Sequence, residues 1–228
     1  MSKTEILNRP IWQALTSRQA GFAEGGALAK RYMASVSPFM AAAEDTPPSL
    51  KALRDLIPEG GMSVLLQATA CPPIEGTEVA MAAEGVQMIA VNNFAGEDET
   101  GILNLGEADA PEMQALAALT KPGPFLARTH ELGRFIGIRE NGALVAMAGE
   151  RMRLEGFTEI SAVCTHPEFR GRGLAGRLMR IVAARICAAG ETPFLHAFAN
   201  NENAIRLYET LGFELRSKMF VRALRRKT

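Results

Sequence analysis

The 228-residue sequence has no excess of charge of either sign: Lys and Arg together number 25, and so do Asp and Glu, which leaves a formal net charge of zero. Nothing in that balance draws the chain electrostatically to nucleic acid or to an anionic membrane. Cysteine is scarce as well. Cys71, Cys164 and Cys187 are odd in number, far apart and without C-x-x-C spacing, so neither a disulfide framework nor a zinc site is expected, and no metal is invoked. No apolar run approaches the ~20 residues that a membrane-spanning helix needs. The opening M-S-K-T-E-I-L-N-R-P carries charge and a proline where a secretion signal is continuously apolar. These absences lead to the expectation of a cytoplasmic protein.

What is present is apolar: 47% of the residues are hydrophobic, enough for a sizeable core in one large domain or two small ones. From Pro10 to Pro58 the spacing of Leu15, Leu28, Leu50, Leu53, Leu56 and Ile57 predicts helices, interrupted at Gly25-Gly26 and Pro47-Pro48. Short apolar runs at Met62 to Leu66 and Val86 to Val91 predict strands. The polar stretch Asn92 to Thr100 is the best place to divide the chain, giving an α/β segment at 1–97 and a second domain at 98–228. Val79 to Glu84 echoes Val145 to Glu150, which would mark the first segment as a degenerate half of a duplicated fold, although in a chain so rich in alanine and methionine coincidence is the better explanation; the segment would otherwise shape a substrate site.

Beyond the boundary a strand at Ile102 to Leu105 precedes helices at Pro111 to Leu119 and Phe125 to Leu132. Strands follow at Phe135 to Arg139 and Ala143 to Met152, joined by Asn141-Gly142, a hairpin signal. The chain then reads strand (Thr158 to Thr165), helix (Gly173 to Ala189), strand (Pro193 to Ala199), helix (Asn203 to Leu211) and strand (Phe213 to Leu224). That order implies a parallel strand pair joined by a crossover helix, in a mixed α/β fold.

The most informative segment leads from the first of those strands into its helix. Arg170, Gly171, Arg172, Gly173, Leu174, Ala175 and Gly176 place glycines and two cations at a helix N-terminus, where unpaired backbone N–H groups and the helix dipole attract phosphate. Gly171-x-Gly173-x-x-Gly176 also matches the dinucleotide fingerprint. Five residues separate it from the strand, however, and the following strand Pro193 to Ala199 has no acidic residue, which argues against that reading.

Arg170-x-x-Gly173-x-Ala175 resembles the R/Q-x-x-G-x-G/A signature of the GNAT acyltransferases. Two further similarities accompany it: Thr165-His-Pro-Glu-Phe169 beside the family's V-D-P-E-Y, and Asn201-x-x-Ala204-Ile-x-Leu207-Tyr208-x-x-x-Gly212-Phe213 beside its second signature. The resemblance implies a central mixed sheet flanked by helices over about 98–228, with residues 1–95 outside it. It implies acetyl-CoA as cosubstrate, its pyrophosphate on Gly171 to Gly176, its pantetheine arm along the backbone of Val163, Cys164 and Thr165, and Asn201 as a further contact. Glu159, eleven residues before Arg170, stands where several members place a catalytic glutamate, although a strand-end glutamate can equally face solvent. Tyr208 would protonate the departing thiolate, a role that its seven-residue spacing from Asn201 and the following Gly212-Phe213 favour; an isolated tyrosine would simply pack against Leu211 and Phe213.

Cys164 with His166 is a poor nucleophile pair, since a proline follows and no orienting acid is evident; His130 and His196 read as structural. Arg128 to Glu131 would border a substrate groove or form an ordinary polar helix face, and the basic residues Arg222, Arg225, Arg226 and Lys227 read as solvated. The expected activity is N-acetyl transfer to a primary amine of a small molecule or peptide, with neither nucleic acid nor membrane as partner and assembly as a homodimer left open. The rival is a non-catalytic acyl-CoA-binding sensor or scaffold.

Overall fold

The computed structural model describes residues 3–227. The expectation of helices throughout Pro10 to Pro58 is corrected. Only α1 (Pro10–Thr16) and α2 (Pro47–Asp55) are helical, and between them lie three short antiparallel strands, β1 (Ala23–Gly25), β2 (Ala29–Tyr32) and β3 (Met40–Ala42). The cause is local. Gly25 turns the chain with φ +108°, and a Cβ there would lie 2.5 Å from the Ala29 carbonyl oxygen, so only glycine lets β1 fold back onto β2.

The main sheet has eight strands. After β4 (Ser63–Gln67) and β5 (Thr77–Ala90) come β6 (Leu103–Leu105), α3 (Ala110–Thr120), β7 (Phe135–Glu140), β8 (Ala143–Leu154) and β9 (Phe157–Thr165). The chain closes with α4 (Leu174–Ala188), β10 (Thr192–Phe198), α5 (Glu202–Thr210) and β11 (Phe213–Arg226). The spatial order is β4-β11-β5-β10-β9-β8-β7-β6. Asn141 and Gly142 both have positive φ, forming the tight β7–β8 hairpin that their dipeptide signals. The helix expected at Phe125 to Leu132 is only a 3-10 turn at Thr129–Leu132. Thr129 Oγ1 there accepts from the Leu126 N–H at 2.7 Å and donates to the Val36 carbonyl, local bonds that compete with a helical ladder.

The sheet runs through the division drawn at 97/98. β5, from the first segment, lies between β10 and β11, while β11 lies between β4 and β5. The connection at 92–100 is not free either: Arg180 and Arg185 on α4 pair with Glu97 and Glu99, and Arg177 donates to the carbonyls of Asp98 and Thr100. Residues 23–90 and 135–226 follow the same order, a three-stranded meander, a helix and two strands, with α5 added in the second. The parallel step is present in both, as the β9–β10 pairing and as the Phe39–Val64 bridge.

Two apolar layers hold the sheet. Leu178, Ile181, Val182 and Ile186 of α4 pack on Ile136, Ile138, Val145, Ile160, Leu195 and Phe213. On the other face Leu7, Ile11 and Leu15 cover Met152, Leu154, Phe157, Phe194 and Met219. Removing such area from water is what offsets chain entropy, and on both faces the layer spans strands from either side of residue 97. A fragment of residues 98–228 is therefore expected to show no cooperative unfolding transition in urea, whereas the full chain unfolds in one. Circular dichroism of the two proteins checks this.

Candidate active site

The site begins where two parallel strands separate. β10 pairs with β9 only from Thr192–Phe157 to Phe194–Glu159; from there on it keeps its pairing with β5 as far as Phe198 and leaves β9. β9 helps the separation with a bulge. Ala162 has φ +53°, and the two residues between Ser161 and Cys164 oppose the single residue between Gly149 and Met147. The edge of Val163 to Thr165 that would face β10 is thus left without a strand partner, and a cavity of about 800 Å³ occupies the fork.

At one end of that cavity is the glycine-rich helix start. Gly171 and Gly173 have φ +78° and +73°, and a Cβ on either would meet nothing within 4 Å, so the loop is open to a ligand. Gly173 is the N-cap of α4 and offers no side-chain cap, and the N–H groups of Gly171 to Gly176 find no backbone acceptor among the described residues. Thr165 Oγ1, also at the cavity, is buried without a hydrogen-bond partner. An orphaned hydroxyl beside an uncapped helix end fits a ligand that brings both an anion and hydrogen-bonding groups.

Most of the residues picked from the sequence do meet here. Val163, Cys164, Thr165, Arg170, Gly171, Gly173, Leu174, Ala175, Gly176, Asn201 and Tyr208 all line the cavity. Asn201 caps α5, its Oδ1 accepting from Ala204 N–H at 3.3 Å, which leaves its amide hydrogens available. Tyr208, two turns along, has no hydrogen-bond partner among the described residues, and burial pushes its pKa up. Arg172 departs from the expectation: its guanidinium stacks on Phe169 and sits 3.8 Å from Glu140, outside the cavity.

Glu159 departs further. It is wholly buried and does not line the cavity. Arg151 Nε and Nη2 donate to its two oxygens at 2.8 and 2.6 Å, and His196 Nδ1 lies 2.7 Å from Oε1. Burial by itself would raise its pKa, but the Arg151 charge and hydrogen bonds, with those of His196, outweigh it and hold the carboxyl down at about 2. As a direct base toward a substrate it is badly placed, being both enclosed and weakly basic. Arg151 and His196, its partners, are the groups that reach the cavity.

The row continues across the sheet. Arg216 donates to Gln87 Oε1, which fixes that amide; Gln87 Nε2 donates to the Leu7 carbonyl and to His196 Nε2, each at 3.0 Å. His196 therefore carries its proton on Nδ1 and donates it to Glu159. Arg151 and His196 were missed as site residues: Arg151 stands between Glu150 and Arg153 in a charged stretch of its strand and carries no local signal, whereas a lone histidine within the apolar strand Pro193 to Ala199 was visible in the sequence.

The remaining candidates lie elsewhere. Cys164 is buried and its thiol is pushed up to about 11, chiefly by desolvation, which leaves it inert. His166 accepts from Glu168 N–H through Nδ1, a capping role that an aspartate could fill in the same place. Arg128 pairs with Glu131 on the surface, and the segment that borders the cavity is Thr120 to Pro124 instead. Arg222, Arg225 and Arg226 belong to β11, and Arg226 donates to the Asp55 carbonyl.

A strand fork opened by a bulge, with an uncapped helix start at its mouth and a tyrosine inside, is the arrangement the sequence motifs imply for an acyltransferase. Comparison with known proteins agrees. The family described as FR47-like protein matches residues 135–221. A solved structure from Novosphingobium aromaticivorans, assigned to the GNAT acetyltransferases, is 43% identical, with a TM-score of 0.92 over 97% of this chain and 99% of that one. A GCN5-related N-acetyltransferase from Kribbella flavida, 17% identical, shares the fold with a TM-score of 0.61 over 97% of this chain and 95% of that one. No curated protein matches. The chain belongs to the GNAT family of acetyltransferases.

The buried pair gives a measurable signature. Glu159→Gln strands a buried guanidinium and is expected to cost about 3–5 kcal/mol of stability. Because the folded carboxyl titrates near 2 rather than at its ordinary 4.5, the wild-type advantage is full above about pH 5 and lost as pH falls toward 2. Urea unfolding of both proteins across that range tests it.

Proposed function

We propose that the chain transfers an acetyl group from acetyl-CoA to a primary amine by direct attack of the amine on the thioester. The observation that carries this reading is the fork between β9 and β10, which brings an open anion cradle, an unpaired strand edge and an unpartnered tyrosine to one cavity.

The pyrophosphate lies on the backbone of Gly171 to Gly176, with Arg170 beside it, and the pantetheine arm adds to the free edge of Val163 to Thr165, where Thr165 Oγ1 gains its missing partner. Backbone N–H at the β9 bulge holds the thioester oxygen as charge develops on it. An amine with a pKa near ~10.4 is mostly protonated at neutral pH. Its proton leaves through water in the cavity, while His196, whose Nδ1–H donates to Glu159 and whose Nε2 accepts from Gln87, has no free lone pair and acts as a positioning residue in the cavity wall. As nitrogen bonds to the carbonyl carbon the carbon–sulfur bond breaks, and Tyr208, kept neutral by its raised pKa, gives its proton to the thiolate; Asn201 steadies the cofactor alongside.

Gly173→Trp directs its side chain into the open cradle, at the cost of a φ of +73° that strains any L residue; with its fold checked by circular dichroism, it is expected to abolish acetyl-CoA binding in calorimetric titration. Tyr208→Phe is expected to keep that binding and to lower kcat on a reacting amine by about 100-fold or more. Intact turnover in Tyr208→Phe would remove the tyrosine from the mechanism; unchanged binding in Gly173→Trp would remove the cradle.

A further inference from the structure

The cavity extends well beyond the cradle. Along β8, Arg151 stands five residues from Ala146, the partner of Thr165, which is roughly 17 Å of strand. Around that end are the apolar side chains of Phe39, Val64, Leu66, Met81 and Val221, all contributed by β4, β5, β11 and the chain before β3. Arg151 stacks over Phe39, 4.9 Å from the ring centroid, and its side chain is 11% exposed.

A guanidinium has five N–H donors. Glu159 takes two of them, from Nε and Nη2, on one edge of the plane. The other edge, Nη1 with the second hydrogen of Nη2, makes no hydrogen bond to any described residue, and Nη1 lies in the gap beside Gly123 at the cavity wall. These three donors face the cavity, where the Arg151 side chain keeps its 11% exposure, and are open to an acceptor; the end-on edge of a guanidinium matches a carboxylate bidentately.

Charge points the same way. The charged groups that line the cavity are Lys121, Arg151, Arg170 and Arg180, with His196; no aspartate or glutamate lines it. In the polar row, Arg151 is paired with Glu159, whereas Arg216 has only the neutral acceptors Gln87, Asn8 and the Thr4 carbonyl, so the row holds two guanidinium groups and one carboxylate. A polyamine would meet only cations there. An amine that carries its own carboxylate would supply what is missing.

We infer that the acceptor is a free amino acid with an apolar side chain, its carboxylate on the outer edge of Arg151 and its side chain among Phe39, Val64, Leu66, Met81 and Val221. This rests on the transferase reading above. It excludes a protein lysine and an ordinary peptide N-terminus, neither of which has a carboxylate at the required place.

The test compares matched acceptors at saturating acetyl-CoA, reading CoA thiol release: leucine, leucinamide and 3-methylbutylamine, then phenylalanine, phenylalaninamide and phenethylamine. The acids are expected to exceed the amides and simple amines in kcat/KM by about 100-fold or more, as for sites whose buried donors are otherwise left unpaired. The amide's amine is less basic and so less protonated at neutral pH, so the free-amine population alone would favour the amide. Arg151→Lys keeps a cation against Glu159 but loses the fork; it is expected to raise KM for leucine at least about tenfold, with acetyl-CoA binding intact, and to erase the preference for acid over amide. Amides or simple amines reacting as well as the acids overturn this inference alone. Silence with every amine, while acetyl-CoA still binds, overturns the transferase chemistry and this inference with it. Should Arg151→Lys fail to fold, the wild-type comparison decides.

Discussion

β5 and β11 run antiparallel along their whole lengths, from Ala90 opposite Phe213 to Thr77 opposite Arg226, and the rest of the molecule is arranged around that pairing. Each is the final strand of its own half, yet each sits next to the penultimate strand of the other: β5 beside β10, β11 beside β4. Backbone groups in a sheet interior must be paired, so neither half can complete its ladder alone. The exchange also brings β4, β5 and Phe39 to the far end of the cavity, so that end is lined by residues that precede the motif-bearing half together with Arg151 and Val221 from within it.

The fork and the polar row are two consequences of one local geometry. Where β10 leaves β9 it keeps its pairing with β5, and at that parting Arg151, Glu159, His196 and Gln87 stand side by side on four adjacent strands. Burying such groups is tolerable only when each is paired, and the Arg216–Gln87–His196–Glu159–Arg151 sequence satisfies that condition except at the cavity, where one guanidinium edge is left free. Glu159 is ionised and fixed, and His196 is held between it and Gln87. The carboxylate thus influences the cavity through the imidazole and the guanidinium rather than by contact.

Much of the second half was legible in the sequence because its signals are local. Asn141-Gly142 specifies a hairpin and the stripe Leu178–Ile181–Val182–Ile186 specifies a helix on a sheet, and both are realised; Gly171, Gly173 and Gly176, expected to cradle an anion, lie at an uncapped helix start on the cavity. The first half was less legible. Its strands β1 to β3 are three or four residues long, too short for period-2 alternation to stand out against helical spacing, and half of β5 is solvent-facing and contains Glu78 and Glu84. The insertion of β5 between β10 and β11 was invisible for another reason, since strand order is a long-range property that no window of sequence contains. Glu159 shows the same limit: its position along the chain suggested a base, but Arg151 and His196, eight residues before and thirty-seven after, determine how it behaves.

The exchanged strands also constrain how the molecule is made. β5 emerges from the ribosome long before β10 and β11, the two strands that flank it, so throughout that interval both of its edges are exposed with Val86, Met88 and Ile89 uncovered. Such an edge is a template for the wrong partner, and pairings so distant in sequence form slowly. The nascent chain must therefore wait, with its central strand unprotected, for the last of the eight strands, which makes the interval between synthesis of Ala90 and of Arg226 the period when this protein depends most on chaperones.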